Sequence, residues 1–360
     1  MHRLTSVKTC YIIYTERKGK YMNCIRNVSP CTGGGGSPAE PASIHCAPSE
    51  WTKSRAFTMA EILLSLTIIG VVAAITLPSL TGNINERTWN TQRKAFFARI
   101  SQAIPLMGSI NGYANAETFV TGGLSKVLKI NNICDNEHLT DCGISSKIVK
   151  LNGTTMSTPT KMSELNPRIV NMSAIGEGGE NDRYSYSQPD SDAAAFETVN
   201  GESVLAFYNP NCTPDLLSTN YFYYQKKLCL NLVYDLNGSK GPNTIGKDMG
   251  YLSIFYPTDS VIAAPVPLMR NLSAQYKQSE AGAACTEFDS ESRVPNREEM
   301  AALFVNLFLI DNGGETVLDA LYWTSSVISS TKAWYFWVET GYANCSRPRT
   351  QPMNVRCIKR

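Results

Sequence analysis

The longest apolar run of the chain lies between Phe57 and Leu80. It carries one charge, Glu61, near its start, and residues 62–77 are uncharged and mostly apolar. Because a helix rises about 1.5 Å per residue, this run just spans a bilayer core of about 30 Å. A buried core helix is usually shorter, and a secretory signal should end in a small-residue cleavage site, which residues 77–80 do not provide. The pattern therefore predicts a transmembrane helix over residues 57–80.

An amphipathic stretch follows the apolar run. Its apolar side chains recur at intervals that fit one face of a helix, and charged residues lie between them. Pro78 and Gly82 lie at the junction, where proline removes an intrahelical hydrogen bond and permits a kink. We predict a second helix half over residues 81–112, with core-facing positions Ile84, Trp89, Phe96, Phe97, Ile100, Ala103 and Ile104.

The middle of the chain carries strand patterns. Residues 196–208, 228–236 and 251–256 read as strands, and Asn200-Gly201 is a hairpin-turn signal inside the first of them. An antiparallel sheet packed on the amphipathic helix would bury the apolar face of both elements. We therefore expect an α+β fold, with a head over residues 113–280 and a further segment over 281–360.

The first 56 residues have a different character. They contain four consecutive glycines from Gly33 and several prolines, but no apolar period that could build a core. We expect an unstructured leader. A start site placed too far upstream would explain the segment equally well, and Met22 is one internal candidate.

Charge argues against nucleic acid as the default partner. Eight of the 33 Lys and Arg and three of the 31 Asp and Glu precede Phe57, which leaves 25 basic and 28 acidic residues, a formal net charge of −3. Nucleic-acid binding usually needs a basic stripe. A chain this close to neutrality gives no such signal.

Seven of the eleven cysteines follow Phe57, and no two of them form a Cys-x-x-Cys pair. Export into an oxidising compartment explains these cysteines better than zinc, which would need closely spaced thiols or histidines. We predict disulfides between sequence neighbours, Cys134 with Cys142 and Cys212 with Cys229.

The segment around Phe57 resembles the prepilin family. A basic leader, Lys53-Ser54-Arg55-Ala56, precedes Phe57-Thr58-Met59-Ala60-Glu61 and the apolar helix, and Pro78 stands where many pilins have a proline. The family usually has Gly at the position of Ala56. The resemblance implies cleavage between Ala56 and Phe57 by prepilin peptidase and methylation of the new amino group of Phe57.

The same resemblance implies a function and a location. The chain would be a non-enzymatic, minor or pseudopilin subunit of a type IV pilus-like or type II secretion filament. It would cross the bacterial inner membrane once, with its C-terminal part outside, and then enter a periplasmic or cell-surface filament. Its partners would be other pilin subunits, the inner-membrane assembly platform and membrane lipid. Glu61 would pair with the Phe57 amino group of a neighbouring subunit, since an unpaired charge in lipid is costly.

A loop from Asp235 to Gly250 looks like one that many pseudopilin-like proteins carry. It reads Asp-Leu-Asn-Gly-Ser-Lys-Gly-Pro-Asn and continues to Gly-Lys-Asp. Oxygen side chains of Asp235, Asn237, Ser239 and Asp248 could converge on Ca²⁺, although the spacing is not that of an EF-hand. The alternative is a β-turn in which the same side chains cap their own backbone.

The C-terminal segment resembles the C-type-lectin-like domains of the Lcl type. The matching pieces are residues 293–299, 322–326, 333–335 and 355–357. The resemblance implies a disulfide between Cys285 and Cys357. Cys345 is then the one cysteine after Phe57 that no predicted disulfide includes. We expect the aromatic residues Trp323, Trp334, Phe336 and Trp337 to fill a core rather than to stack on sugars.

Enzymatic function has no support in the sequence. There is no Walker loop, nucleophile elbow, dinucleotide fingerprint or histidine metal motif. His138 reads as a surface residue. The alternative to a filament subunit is a membrane-tethered or surface adhesin that binds carbohydrate or protein through its lectin-like domain.

Overall fold

The computed structural model describes residues 16–17, 20–21, 58–170, 184–213, 226–256, 260–263, 267–272, 274–310 and 320–359. The chain divides into two compact units, Met1–Pro78 and Ser79–Arg360. The predicted head and C-terminal segment both lie in the second unit.

Five helices occur in the described part of the chain. The first, α1, ends short of the predicted boundary at Gly112, and Gly108 and Gly112 beyond it adopt positive φ angles that do not continue a helix. The helices are α1 Met59–Leu106, α2 Ala116–Gly122, α3 Gln278–Phe288, α4 Arg297–Val305 and α5 Leu307–Ile310, with 3₁₀ turns at Leu124–Lys126, Leu139–Cys142, Met162–Glu164 and Pro167–Ile169.

The strands in chain order are β1 Glu16–Arg17, β2 Lys20–Tyr21, β3 Ile130–Cys134, β4 Lys147–Val149, β5 Thr155–Ser157, β6 Tyr184–Ser185, β7 Ala194–Thr198, β8 Ser203–Tyr208, β9 Lys226–Asp235, β10 Met249–Tyr256, β11 Ser260–Ala263, β12 Pro267–Asn271, β13 Ser292–Arg293, β14 Leu321–Val327, β15 Ala333–Trp337, β16 Tyr342–Asn344 and β17 Arg356–Lys359. The three strand runs predicted from the sequence correspond to β7 with β8, to β9 and to β10.

A seven-stranded sheet forms the centre of the second unit. Its order is β11-β10-β9-β8-β7-β3, with all of these pairs antiparallel, and β6 pairs in parallel with β9. Gly201, with φ of 83°, turns β7 into β8. The predicted α+β class with antiparallel sheets and the predicted turn at Asn200-Gly201 are confirmed.

Both faces of this sheet are buried. On one face, side chains such as Phe196 and Leu232 pack with Phe96 and Ile100 of α1 and with Phe119 of α2. On the other face, Leu205, Phe207, Val233 and Phe255 share a core with α4, α5, β15 and β17. The head and the C-terminal segment are therefore joined by a common hydrophobic core.

A buried polar cluster lies within that second core. Asn231 of β9 donates to Asn306 Oδ1 at 2.8 Å, and Asn306, which follows α4, donates back to Asn231 Oδ1 at 3.0 Å. Ser253 of β10, paired in register with Asn231, donates to the same oxygen at 2.7 Å. All three residues are fully buried. Because a buried amide that loses its partner is costly, the cluster fixes where α4 lies on the sheet.

The C-terminal segment has two small antiparallel sheets, β12-β17-β13 and β14-β15-β16. Asn296 and Glu299 form a capping box at the start of α4, and Arg293 holds Glu299 through two hydrogen bonds of 2.7 and 2.5 Å. These contacts explain why residues 293–299 open a helix. The strands β14 and β15 lie beside α4, where Arg297 N donates to Ser326 Oγ at 3.1 Å and the Arg297 guanidinium lies over the Trp334 ring.

The three predicted disulfides are present: Cys134–Cys142, Cys212–Cys229 and Cys285–Cys357. Cys345, which these pairs leave over, is buried. His138, inside the first disulfide loop, is exposed as predicted, and its Nδ1 lies 2.7 Å from Asp135 Oδ1. That hydrogen bond raises the pKa of His138.

Candidate functional site

The predicted processing site lies outside the residues that the structure describes. Ala56 and Phe57 are outside the described residues, and so is the side chain of Glu61, although its backbone belongs to α1. Cleavage, methylation and the pairing of Glu61 all stay predictions.

The start of α1 has an unusual surface. Its large apolar side chains are between 44% and 76% exposed at nine positions, and consecutive positions on a helix differ by about 100°, so they face every direction. Among the residues described, no helix combines the length and the apolar character needed to cross a membrane. The nine positions are Met59, Ile62, Leu63, Leu64, Leu66, Ile68, Ile69, Val71 and Val72.

The later part of α1 is attached to the sheet by two arginines as well as by apolar packing. Arg93 donates from Nη2 to the carbonyl oxygens of Gly246 at 3.2 Å and Lys247 at 2.6 Å. Arg99 forms an ion pair with Glu202, which is buried in the β7–β8 turn and also accepts from Thr198. The helix therefore contacts both the β7–β8 turn and the β9–β10 loop of the sheet.

The loop between β9 and β10 is organised by its two aspartates. Asp248 is fully buried, and its carboxylate accepts the backbone N–H groups of Asn243 and Thr244, each at 2.8 Å. Asp235 Oδ1 accepts the N–H of Asn237 at 3.1 Å. With its amide oriented to suit its neighbours, Asn243 donates to Asp235 Oδ2 at 3.0 Å. These are the bonds of side chains that cap a turn.

The four predicted cation ligands are only partly brought together. Asp235 and Asp248 lie in the loop interior, Asn237 is half-buried and Ser239 is exposed. Both oxygens of Asp248 already accept backbone N–H groups, so the donor set fits a hydrogen-bonded turn better than a Ca²⁺ shell. No three His, Cys, Asp or Glu side chains converge as a metal site anywhere in the part of the chain that the structure describes.

We expect Asp248→Ala to lower the free energy of unfolding by about 3 kcal/mol, because two backbone N–H groups lose a charged acceptor. Asp248→Asn retains one side-chain oxygen and should cost roughly half as much. Urea unfolding of the intact chain measures both changes. Equal losses in the two variants would show that the hydrogen bonds to the carboxylate are not what holds the loop.

The carboxyl group of Asp235 gives the loop a pH dependence. Burial raises the pKa of Asp235 to about 7, against about 3.9 in an unfolded chain. Between these values the native state keeps a proton that the unfolded state loses, so the stabilisation that this one group contributes is greatest below about pH 4 and falls until about pH 7. The loss is on the order of 4 kcal/mol. Asp235→Asn, which stays neutral, should remove this slope.

Thermal unfolding of wild type and Asp235→Asn from about pH 4 to about pH 8 tests this result. Calcium is the informative addition at the upper pH, because an ion would bind the ionised carboxylate and lower its pKa. We expect no calcium-dependent rise in Tm. A rise in the wild type that Asp235→Asn abolishes would establish the cation site instead.

The aromatic residues of the C-terminal segment separate into two groups. Trp323, Trp334 and Phe336 are buried as predicted, and Trp323 Nε1 donates to the carbonyl oxygens of Tyr276 and Gln351 at 3.0 and 3.1 Å. The prediction for Trp337 is wrong, because it is 38% exposed at the end of β15, opposite Tyr342. Only Trp337 among the four offers a free ring surface.

Three residues that hold α1 and α4 on the sheet were not predicted from the sequence. Arg93 gave no signal beyond its position on a helix, because its partners are backbone oxygens. Asn231 and Asn306 were single polar residues in apolar runs, and that pattern could have marked a buried polar pair.

A scan against protein-family models and a search of curated proteins both returned no match for this chain.

Proposed function

We propose that the chain is a non-enzymatic structural subunit, a minor pilin or pseudopilin, of a type IV pilus-like or type II secretion filament. In this proposal prepilin peptidase cuts between Ala56 and Phe57, and residues 57–80 anchor the subunit in the inner membrane. The folded part is outside the cytoplasm.

The observation that carries the proposal is the exposed apolar start of α1. A helix that is apolar on every side is stable when lipid or other apolar helices surround it. In the proposal lipid surrounds the segment before assembly, and the apolar helices of other subunits surround it inside the filament. The basic leader and Glu61 at their places in the sequence add support, since a charge within such a segment usually has a functional partner.

The second support is the attachment of α1 to the head. Arg93, Arg99 and the apolar face of the later part of α1 hold this part of the helix on the sheet. Two disulfides in the head and one in the C-terminal segment suit a protein whose folded part functions outside the cytoplasm.

Fractionation of the bacterium tests the proposal. An epitope placed after Lys359 should appear in sheared or periplasmic filaments together with other pilin subunits, and only when prepilin peptidase is present. A chain that remains in the membrane fraction of cells making such filaments would contradict the proposal.

An adhesin is the second candidate, because Trp337 is exposed on the small sheet β14-β15-β16. Exposed aromatic rings of this kind can stack on sugar rings. Binding of the intact chain to immobilised carbohydrates that Trp337→Ala abolishes would support it. Binding that survives this substitution would remove Trp337 from the argument.

A further inference from the structure

Four Asn-Gly pairs in the described residues provide a comparison within one molecule. They are Asn111-Gly112, Asn152-Gly153, Asn200-Gly201 and Asn237-Gly238, and each follows an aliphatic residue, Ile, Leu, Val or Leu. In such a pair the glycine nitrogen can attack the asparagine side-chain carbonyl, because glycine has no Cβ to obstruct the approach. Their local sequences are nearly equal, so differences in reactivity must come from the fold.

In two of the pairs the attacking nitrogen is already engaged in a hydrogen bond, and in a third the asparagine side chain is held. Gly153 donates its N–H to Lys150 O at 3.0 Å, and Gly201 donates to Thr198 O at 2.9 Å. In the third pair the side chain is held instead, because Asn237 Nδ2 donates to Gly241 O at 3.3 Å. The bonds of Gly153 and Gly201 must break before the nitrogen can lose its proton and attack. The bond of Asn237 restricts the rotation that would bring its side-chain carbonyl carbon to the Gly238 nitrogen.

The pair at Asn111-Gly112 is different. Within the part of the chain that the structure describes, the N–H of Gly112 has no hydrogen-bond acceptor, and Gly112 is exposed. The residues on both sides are fixed, because Tyr208 Oη donates to Ile110 O at 3.0 Å and accepts from Tyr113 N at 3.3 Å. The two residues between them form an open tip.

The side-chain carbonyl group of Asn111, which the nitrogen would attack, is also activated. Ser109 Oγ donates to Asn111 Oδ1 at 2.5 Å. A hydroxyl donor on a carbonyl oxygen stabilises the negative charge that develops there during nucleophilic attack. Asn111-Gly112 therefore combines an unengaged nucleophile with a polarised carbonyl.

We propose that Asn111 is a site of spontaneous, fold-selected deamidation. Hydroxide removes the Gly112 amide proton, and the nitrogen forms a bond to Cγ of Asn111. The tetrahedral intermediate breaks its bond to the side-chain nitrogen, which leaves as ammonia after taking a proton from water. Water then opens the resulting succinimide at either carbonyl and gives aspartate or isoaspartate. No oxidant or cofactor is required.

The product alters the connection between α1 and the head. Either product adds a negative charge at the exposed tip. Isoaspartate also inserts a methylene into the backbone between Ile110 and Tyr113, the two groups that the Tyr208 hydroxyl holds together. The modification would loosen the segment after α1 in old molecules and not in new ones, whatever the chain's function.

Peptide mass mapping of the intact chain, incubated under mildly alkaline conditions, tests the proposal. Asn111 should convert faster than each of the other three asparagines by roughly tenfold, the factor expected for breaking one hydrogen bond. Ser109→Ala should slow conversion at Asn111 by roughly 2- to 10-fold and leave the other three rates unchanged.

The deamidation rates in denaturant and the relative native rates distinguish this proposal from its alternatives. In denaturant the four rates should converge, because only the fold distinguishes them. A native rate at Asn152, Asn200 or Asn237 equal to that at Asn111 would overturn the proposal, and so would a preference for Asn111 that persists in denaturant. A folded Ser109→Ala variant with an unchanged rate at Asn111 would remove the activation by the hydroxyl. Asn312-Gly313, outside the described residues, does not enter the comparison.

Discussion

Substitution of Glu61 by Ala should abolish incorporation of the subunit into filaments while leaving its insertion into the membrane intact. In the proposed filament the carboxylate meets the Phe57 amino group of a neighbouring subunit among apolar helices. Removing one partner leaves a buried charge unpaired, which costs roughly 3–5 kcal/mol and is enough to exclude a subunit that competes with native copies. Insertion should improve slightly, because a charge near the start of an apolar segment is unfavourable in lipid.

Co-expression of tagged Glu61→Ala with the native chain, followed by shearing of filaments and recovery of membranes, measures both effects. Glu61→Gln is the matched control, because it keeps the size of the side chain and loses only its charge. It should be excluded as well. Incorporation of either variant at the level of the native chain would remove the role assigned to Glu61.

Truncation of Phe304 to Ala should destabilise the head sheet together with the C-terminal segment. Phe304 in α4 is fully buried, and its ring lies 4.9 Å from that of Tyr186 and 6.1 Å from that of Phe336, measured between ring centroids. Phe→Ala changes in cores typically cost about 3–5 kcal/mol. Since this core is common to both parts, β8 and β15 should lose protection together.

Amide hydrogen exchange of the intact chain distinguishes this outcome from independent domains. Trp337→Ala is the matched control: it removes a larger aromatic residue that is exposed, and it should cost less than about 1 kcal/mol. If Phe304→Ala lowers protection in β14 to β16 and leaves β8 to β10 unchanged, the C-terminal segment folds on its own, and the common core does not couple the two parts.

The sequence predicted the strands well because their signals are local. Apolar runs bounded by turn residues define β7 to β10, and Asn200-Gly201 marks the turn between the first two. The disulfide pairs Cys134–Cys142 and Cys212–Cys229 followed from proximity along the chain. The pair Cys285–Cys357 came from a family resemblance.

The common core was not predicted, although a signal for it was present. Residues 203–208 are Ser-Val-Leu-Ala-Phe-Tyr, a nearly continuous apolar run without the alternation of a strand that has one wet face. Such runs indicate burial on both faces. What the sequence could not show is which segment covers the second face, because that depends on contacts between parts far apart in the chain.

The sequence of the loop between β9 and β10 also could not predict which contacts its side chains make. Alternating oxygen side chains at Asp235, Asn237 and Ser239 suit either a cation or a turn. The outcome depends on whether backbone N–H groups occupy the carboxylate oxygens. At Asp248 they do, because both oxygens accept backbone hydrogen bonds. Spacing along a sequence carries no information about that competition.

The proposal that the start of α1 is a membrane anchor has a different kind of support. The exposed apolar side chains between Met59 and Val72 have no role in a chain that stays alone in water, and a filament subunit gives them one. That interpretation requires a specific covalent event, because the leader must be removed for Phe57 to become the amino terminus.

The N-terminal sequence and intact mass of the mature protein, recovered from membranes or filaments, test the central claim most directly. We predict a protein that begins at Phe57 and carries the added mass of a methyl group on its amino nitrogen. A mature protein that begins after Leu80 would lack the apolar segment and would contradict the proposal of a pilin-like subunit.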